Sequence, residues 1–133
     1  MGHINVIEYA TIATTGNASD FGDLVETVTY RGGADNTTRC FIAGGSGYVD
    51  AIDYFNIAST GNASDFGNLT TDRGGKSSTT NQTRGIIGPW TGDSGADVTI
   101  DYITIATTGN ATDFGDTTSS GSGSTGSTSG AAS

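Results

Sequence analysis

Apolar residues occur along the chain in short groups, and serine, threonine, asparagine and glycine separate these groups. In the group formed by Ile52, Asp53 and Tyr54, the isoleucine and the tyrosine share one face of an extended strand, because side chains alternate along a strand. Ile57 lies five positions after Ile52 and therefore faces the opposite side. Apolar contacts on both faces are typical of a strand that is covered on both sides.

This pattern belongs to a block of sequence that occurs three times. The block begins at Ile7, Ile52 and Ile100, with offsets of 45 and 48 residues, and contains Ile-acidic-Tyr followed by Gly-Asn-Ala-Ser/Thr-Asp-Phe-Gly. A second block, Thr-Arg followed by apolar residues and glycine, occurs twice, at residues 38–45 and 83–90. Self-similarity at this spacing indicates a repeat architecture.

We therefore predict one β-repeat domain over residues 1–116, with copies near residues 4–30, 38–75 and 83–116. The Ser/Thr/Gly-rich residues 117–133 have the composition of a flexible tail. Because the first block occurs three times and the second only twice, the outer copies are predicted to be incomplete.

Each repeat is predicted to contain three or four short strands. The Ile-acidic-Tyr residues and the Thr-Arg block supply one strand each, and the polar stretches at 31–36 and 73–78 form a loop or a strand of small residues. The Gly-Asn pairs at 16–17, 61–62 and 109–110 are predicted to reverse the chain, because both residue types tolerate positive φ. Asp-Phe-Gly then starts another strand, and its phenylalanine is expected to anchor the core. The predicted structural anchors of the repeats are Ile7, Tyr9, Phe21, Ile52, Tyr54, Phe66, Ile100, Tyr102 and Phe114.

Composition and charge limit the fold and the kinds of partner that we expect for this protein. With 22 glycines and only 33% hydrophobic residues, long helices are disfavoured. The net charge of −9 makes nucleic acid an unexpected partner, because Lys and Arg are needed to neutralise phosphates. An acidic surface instead promotes solubility. Residues 1–5 lack the features of a secretory signal, and no apolar run is long enough to cross a bilayer, so we expect no membrane insertion.

The motifs that suggest catalysis lack the other residues that each mechanism requires. Asp-Phe-Gly at 20–22 matches the metal-binding triplet of protein kinases, but it recurs in every repeat without a His-Arg-Asp loop. Residues 75–77 match the end of a P-loop, but Thr70 stands where the first glycine is required. His3 is the only histidine, and Cys40 is better explained as a small buried residue than as an activated thiol. We therefore expect no enzymatic activity and no catalytic residue.

No cofactor is expected, and calcium is the alternative. Asp20 with Asp23, and Asp113 with Asp116, could bind Ca²⁺ together with backbone carbonyls. The second copy carries Asn68 in place of the second aspartate, which argues against a site shared by all repeats.

Three aromatic residues are candidates for ligand contact. Trp90, Tyr30 and Tyr48 lie in predicted loops or at strand ends, where exposed rings could stack on sugars. Packing between repeats is the favoured interpretation, and Trp90 and Tyr48 do not occupy equivalent positions in their repeats.

The order of the blocks resembles the blades of kelch-type β-propellers. An aliphatic-Gly-Gly strand at 41–45 is followed by Ile-acidic-Tyr at 52–54, and then by an aromatic strand ending in arginine, here Phe66 and Arg73. The blade tryptophan is replaced by phenylalanine, and the second Gly-Gly is Gly-Pro at 88–89. The resemblance implies an all-β fold of short antiparallel strands. These form kelch-like or propeller-like blades, or a β-sandwich, that oligomerisation completes.

The amino-acid sequence of residues 100–116 resembles repeats in virion structural proteins of marine tailed bacteriophages, cyanophages among them. This resemblance covers most of residues 4–116. It implies a component of the virion surface, such as a tail fibre, a tail-associated protein or a capsid decoration protein.

These observations predict a non-enzymatic virion structural protein that associates with itself and with other virion proteins. Unpaired strand edges aggregate unless partners cover them, and a homo-oligomer can pair each open edge with another. The alternative function is a lectin-like module that binds glycans on the host surface.

Overall fold

The structure, a computed structural model, describes residues 2–47, 49–74, 77–89 and 98–119. These ranges contain ten β-strands, all paired antiparallel, and no helix, so the predicted all-β class is confirmed. The strands are β1 (Val6–Tyr9), β2 (Ser19–Asp23), β3 (Gly32–Asp35), β4 (Arg39–Ala43), β5 (Ala51–Asn56), β6 (Ser64–Asn68), β7 (Ser78–Thr80), β8 (Arg84–Ile87), β9 (Thr99–Thr104) and β10 (Thr112–Asp116).

The strands form three separate sheets that follow each other along the chain. Sheet I is the hairpin β1-β2, sheet II has the order β3-β4-β5-β6, and sheet III has the order β7-β8-β9-β10. Strands that are adjacent in sequence are therefore adjacent in space, as expected for short connections. The strands of sheet I carry the same sequence block as the last two strands of sheets II and III. A complete repeat thus has four strands, and the small-residue stretch before each Thr-Arg block forms the first of them.

Each complete sheet begins with this small-residue strand, at Gly32 in sheet II and at Ser78 in sheet III. Both sheets therefore start before the residues 38 and 83 that the Thr-Arg block marks. The described sheets have free edges and do not close into a barrel or ring. No helix of the described ranges could cross a membrane.

Sheets II and III share one hydrophobic core. Their first strands, β3 and β7, contact each other, and the hydroxyl of Thr80 donates a hydrogen bond to the carbonyl of Asp35. The core contains Phe41 and Phe66 from sheet II together with Ile103 from sheet III. The ring of Phe41 lies so close to Gly85 that a Cβ at this position would overlap it. The described part of sheet I contributes no buried side chain to this core.

A β-bulge at the Asp-Phe-Gly sequence occurs in all three sheets. In sheet II, Asp65 pairs with Asp53 and Gly67 pairs with Ile52, so Phe66 is the additional residue. The carboxylate of Asp65 accepts a hydrogen bond from the Gly67 amide at 3.0 Å. Gly67 has φ +145, a conformation that non-glycine residues rarely adopt. The recurrent Asp and Gly of this motif therefore have a local role in bending the strand.

The Gly-Asn pairs lie in the connections between antiparallel strands, where the sequence predicts a reversal, but they follow the hydrogen-bonded turn instead of forming it. In the third repeat the turn closes earlier, with the Thr107 amide donating to the carbonyl of Thr104 at 3.2 Å, and Thr14 and Thr11 make the same contact in the first repeat. Gly109 follows this turn with a positive φ of +155. In the second and third repeats, the backbone amides of the Gly-Asn-Ala segment bind the preceding sheet.

Candidate functional site

The contact between successive sheets is the site at which the recurring residues converge. The amide of Gly61 donates to the carbonyl of Phe21 at 2.7 Å, and the amide of Ala63 donates to the carbonyl of Asp23 at 2.7 Å. The Asn62 side chain completes the contact, because its Oδ1 accepts a hydrogen bond from the Asp23 amide at 3.1 Å. We call these three hydrogen bonds, between a Gly-Asn-Ala segment and the Phe-Gly-Asp/Asn strand of the preceding sheet, the latch.

The same latch joins sheet II to sheet III. The Gly109 amide donates to the carbonyl of Phe66 at 2.7 Å, and the Ala111 amide donates to the carbonyl of Asn68 at 2.8 Å. The Asn68 amide in turn donates to Oδ1 of Asn110 at 3.1 Å. Each latch is formed by equivalent residues with nearly equal distances. The repeated sequence therefore encodes the connection between repeats as well as their internal fold.

Glycine is required in the latch by close approach of two backbones. A Cβ at Gly22 would overlap the carbonyl of Gly61, and a Cβ at Gly67 would overlap the carbonyl of Gly109. Sequence reasoning missed this role of the Asp-Phe-Gly glycine. The available signal was the Gly-Asn-Ala sequence, which is the same in all three copies.

A stack of three side chains lies in each of the complete sheets, II and III. In sheet II the guanidinium of Arg39 lies 4.8 Å from the ring centroid of Tyr54, and Tyr54 packs edge-to-face on Phe66 at 5.7 Å. In sheet III, Arg84 lies 4.7 Å above Tyr102, and Tyr102 packs edge-to-face on Phe114 at 6.1 Å. A cation over an aromatic ring is attracted to its electron-rich face.

Arg39 also links sheet II to sheet III directly. Its Nη1 donates to the carbonyl of Ile105 at 2.9 Å and to the carbonyl of Ala106 at 3.1 Å. Ile105 is 1% exposed beneath this contact. The junction therefore combines the latch with an arginine bridge and a buried isoleucine.

Two buried ion pairs hold the complete sheets together internally. Nη1 of Arg31 lies 2.5 Å from Oδ2 of Asp53, and Nη2 of Arg73 lies 2.7 Å from Oδ2 of Asp101. Each arginine precedes the first strand of its sheet, and each aspartate lies on the third strand. Glu8 is the equivalent acidic residue of sheet I, and it is exposed. These two ion pairs tie the residue before the first strand of a sheet to the third strand of the same sheet.

The predicted anchors differ in burial according to their repeat. Ile52 and Phe66, in sheet II, are buried, whereas Tyr9 is 46% exposed and Phe114 is 56% exposed. The difference from the expectation has a physical reason, since no described sheet covers the outer face of sheet I or of β10. The remaining anchors are half-buried: Ile7, Phe21, Tyr54, Ile100 and Tyr102.

Both halves of the latch are also present, unpaired, at the two ends of the described structure. Residues 16–18 repeat Gly-Asn-Ala, and their amides have no partner among the described residues. Phe114, Gly115 and Asp116 form the outer edge of β10, and a Cβ on Gly115 would meet no atom within 4 Å. The molecule thus presents a donor half at one end and an acceptor half at the other.

A groove separates sheets I and II. It has a volume of about 460 Å³ and its lining includes Glu8, Tyr9, Phe21, Phe55 and Ile57. The equivalent space between sheets II and III is about 250 Å³. Sheet I, as described, has no strand equivalent to β4 beside Tyr9.

The remaining candidates from the sequence are a thiol, a set of possible metal ligands, three aromatic residues and the P-loop-like residues. Burial, and after it the nearby charge of Asp35, raises the pKa of the Cys40 thiol from its ordinary value of 9.0 to about 11. A thiol with this pKa is protonated and unreactive at neutral pH. Among the residues that the structure describes, no three His, Cys, Asp or Glu side chains are grouped to hold a metal ion. Tyr30 is exposed, whereas Trp90, Tyr48 and the P-loop-like residues 75–76 lie outside the described residues.

The fold and the site together define an all-β repeat protein whose successive sheets are joined by a recurring backbone latch. No model of a known protein family matches the chain, and no curated protein matches it.

Proposed function

We propose that this protein is a non-enzymatic structural component that assembles with further copies of itself through its β-repeats. The observation that carries the proposal is the latch, which is formed twice within the chain and has both of its halves exposed again at the ends. Exposed backbone donors and acceptors on a strand edge are a template for pairing with another chain. A protein with such edges at both ends is suited to assembly.

The arrangement of sheets II and III favours propeller-like blades over a β-sandwich. Each sheet is a four-stranded meander, and neighbouring sheets approach at two places, β3 against β7 and β6 against residues 109–111. Radial packing of four-stranded sheets with their first strands near the axis is the geometry of a β-propeller. The described residues form two complete four-stranded sheets, and in this proposal other copies of the chain supply the further blades of a ring.

The place of action that we propose is the virion surface of a tailed bacteriophage, as a capsid decoration, tail-fibre or tail-associated protein. Its support is the resemblance of residues 100–116 to repeats of such proteins. The net charge of −9 suits a protein displayed at high density, because like charges limit unspecific clumping.

The experiment is a measurement of native mass over a range of protein concentrations, combined with negative-stain electron microscopy. Assembly predicts species larger than the 13.3 kDa chain with a regular shape. A chain that stays monomeric at all concentrations would contradict the proposed function.

A second candidate function, binding of host glycans, is favoured by the groove between sheets I and II. Tyr9 and Phe55 offer aromatic faces there, and Glu8 offers a carboxylate that could accept hydrogen bonds from sugar hydroxyls. Binding of oligosaccharides from the host surface, measured by calorimetry and lost in the Tyr9→Ala variant, would support it. No heat of binding with any of these glycans would exclude it.

A further inference from the structure

We propose that a second copy of this chain docks head to tail, with its residues 16–18 forming a latch on β10 of the first copy. This inference rests on the proposed function and names the surface through which assembly occurs. The same two sequence elements already bind each other twice within one chain, which is why a second copy is the expected occupant.

The hydrogen bonds of the intermolecular latch follow from the two that the structure contains. The amides of Gly16 and Ala18 of one copy would donate to the carbonyls of Phe114 and Asp116 of the other, as Gly109 and Ala111 do on β6. Oδ1 of Asn17 would accept a hydrogen bond from the Asp116 amide, as Oδ1 of Asn110 does from the Asn68 amide. Every donor and acceptor that this latch needs is exposed on the chain.

The arginine bridge has its intermolecular equivalent as well. Arg84 occupies the position in sheet III that Arg39 occupies in sheet II, and both stack on a tyrosine. Arg39 binds the carbonyls of Ile105 and Ala106, so Arg84 would bind the carbonyls at the equivalent positions 12 and 13 of the second copy.

Ile12 gives an independent reason to expect a partner at this end. Its side chain is 103% exposed, whereas Ile105 at the equivalent position of sheet III is 1% exposed. A fully exposed isoleucine is costly in water, and docking on a complete sheet would bury it as Ile105 is buried. Sheet III is complete and carries both elements that sheet II contributes to the intramolecular junction, the arginine and the strand with Phe-Gly-Asp/Asn.

The interface is heterologous, because one end of the molecule binds the other end of its neighbour. Such contacts produce a ring when the rotation closes and an open filament when it does not. Either product leaves no unpaired latch except at the ends of a filament.

The first test uses Gly115→Ala, which places a Cβ where the carbonyl of Gly16 of the second copy would lie. The matched control is Gly47→Ala, since Gly47 also has a positive φ of +85 and open space around it but lies away from β10. By sedimentation velocity, we expect Gly115→Ala to weaken self-association by roughly tenfold or more, the effect of an overpacked contact. Gly47→Ala should assemble as the wild type does.

The second test approaches the opposite end. Ile12→Ser should weaken association without lowering the stability of the monomer, because Ile12 makes no buried contact within one chain. Ile4→Ser is the control, since Ile4 is also an exposed isoleucine of the same end.

Mixing distinguishes a head-to-tail interface from a symmetric one. The Gly115→Ala chain retains an intact residue 16–18 segment, and a chain with Ile12→Ser and Asn17→Ala retains an intact β10 edge. At a concentration at which each variant alone is monomeric, we expect the two variants to form a 1:1 dimer when mixed, because one functional interface remains. A mixture that stays monomeric would contradict the head-to-tail arrangement.

The outcomes separate this inference from the proposed function. A wild type that assembles, with Gly115→Ala and Ile12→Ser assembling equally well, overturns the interface and leaves the function standing. A monomeric wild type overturns both. If Gly115→Ala also destabilises that monomer as strongly as Gly67→Ala does, another segment of the same chain occupies the β10 edge.

Discussion

Strands β6 and β10 have nearly the same sequence, Ser-Asp-Phe-Gly-Asn and Thr-Asp-Phe-Gly-Asp, and the same bulge, but their surroundings differ. Phe66 on β6 is 3% exposed, and Phe114 on β10 is 56% exposed. Residues 109–111 cover β6, whereas no described segment covers β10. In this chain the neighbouring repeat, rather than the repeat itself, determines whether a residue belongs to the core, as expected for repeat architectures.

The largest effect on the free energy of unfolding is expected when the two phenylalanines are truncated. Phe66→Ala should lower the free energy of unfolding by about 3–5 kcal/mol, because it leaves a cavity in the core shared by sheets II and III. Phe114→Ala should cost much less in the monomer, since much of its ring is already in water. Urea unfolding at a concentration at which the chain is monomeric measures both. Equal losses would mean that β10 is covered in solution.

The acidic residue of the third strand gives a second contrast between inner and outer sheets. Asp101→Asn should destabilise the protein by about 3–5 kcal/mol, because it leaves the buried guanidinium of Arg73 without its counter-charge. Glu8→Gln at the equivalent position of sheet I should have almost no effect, since Glu8 is exposed. Urea unfolding of the two variants measures both losses. A large effect of Glu8→Gln would show that the carboxylate has a buried partner.

The bulge glycines isolate the contribution of the latch. Gly67→Ala and Gly115→Ala introduce similar backbone strain, because their φ values are +145 and +141. Only Gly67→Ala also forces a Cβ against the carbonyl of Gly109. In the monomer we therefore expect Gly67→Ala to cost roughly 1–3 kcal/mol more than Gly115→Ala in the free energy of unfolding. Similar costs would show that strain alone accounts for both.

Much of the fold could be predicted from the sequence, because strands are specified by local patterns. The Ile-acidic-Tyr and Thr-Arg blocks both form strands, and the phenylalanine of Asp-Phe-Gly lies on a strand in each copy. The stretch before each Thr-Arg block was ambiguous because it lacks large side chains. It forms β3 and β7, whose small residues allow the two strands to approach closely.

The latch could not be predicted, because two of its three hydrogen bonds join backbone atoms of different repeats. Hydrogen bonds between backbone atoms leave no pattern in the side chains. Gly-Asn is also a common sequence in reversing turns. The ion pair of Arg73 with Asp101 was missed for a related reason. The two partners are 28 residues apart, whereas Arg31 and Asp53 are 22 apart, so the pairs share no fixed spacing that the sequence would reveal.

The smallest effect that we expect on the free energy of unfolding comes from one position at which sheets II and III differ. Cys40 in β4 aligns with Gly85 in β8, and burial raises the Cys40 pKa from 9.0 to about 11. The unfolded chain therefore loses the thiol proton first as the pH rises, so the favourable contribution is complete below pH 9 and is lost between about pH 9 and 11. Unfolding measured across this range should become easier with pH for the wild type. It should do so less for Cys40→Ala, which keeps every other titrating group of the chain. Because Gly85 has no thiol, this pH dependence arises in sheet II alone. Parallel pH profiles for the wild type and Cys40→Ala would show that Cys40 titrates normally in the folded state.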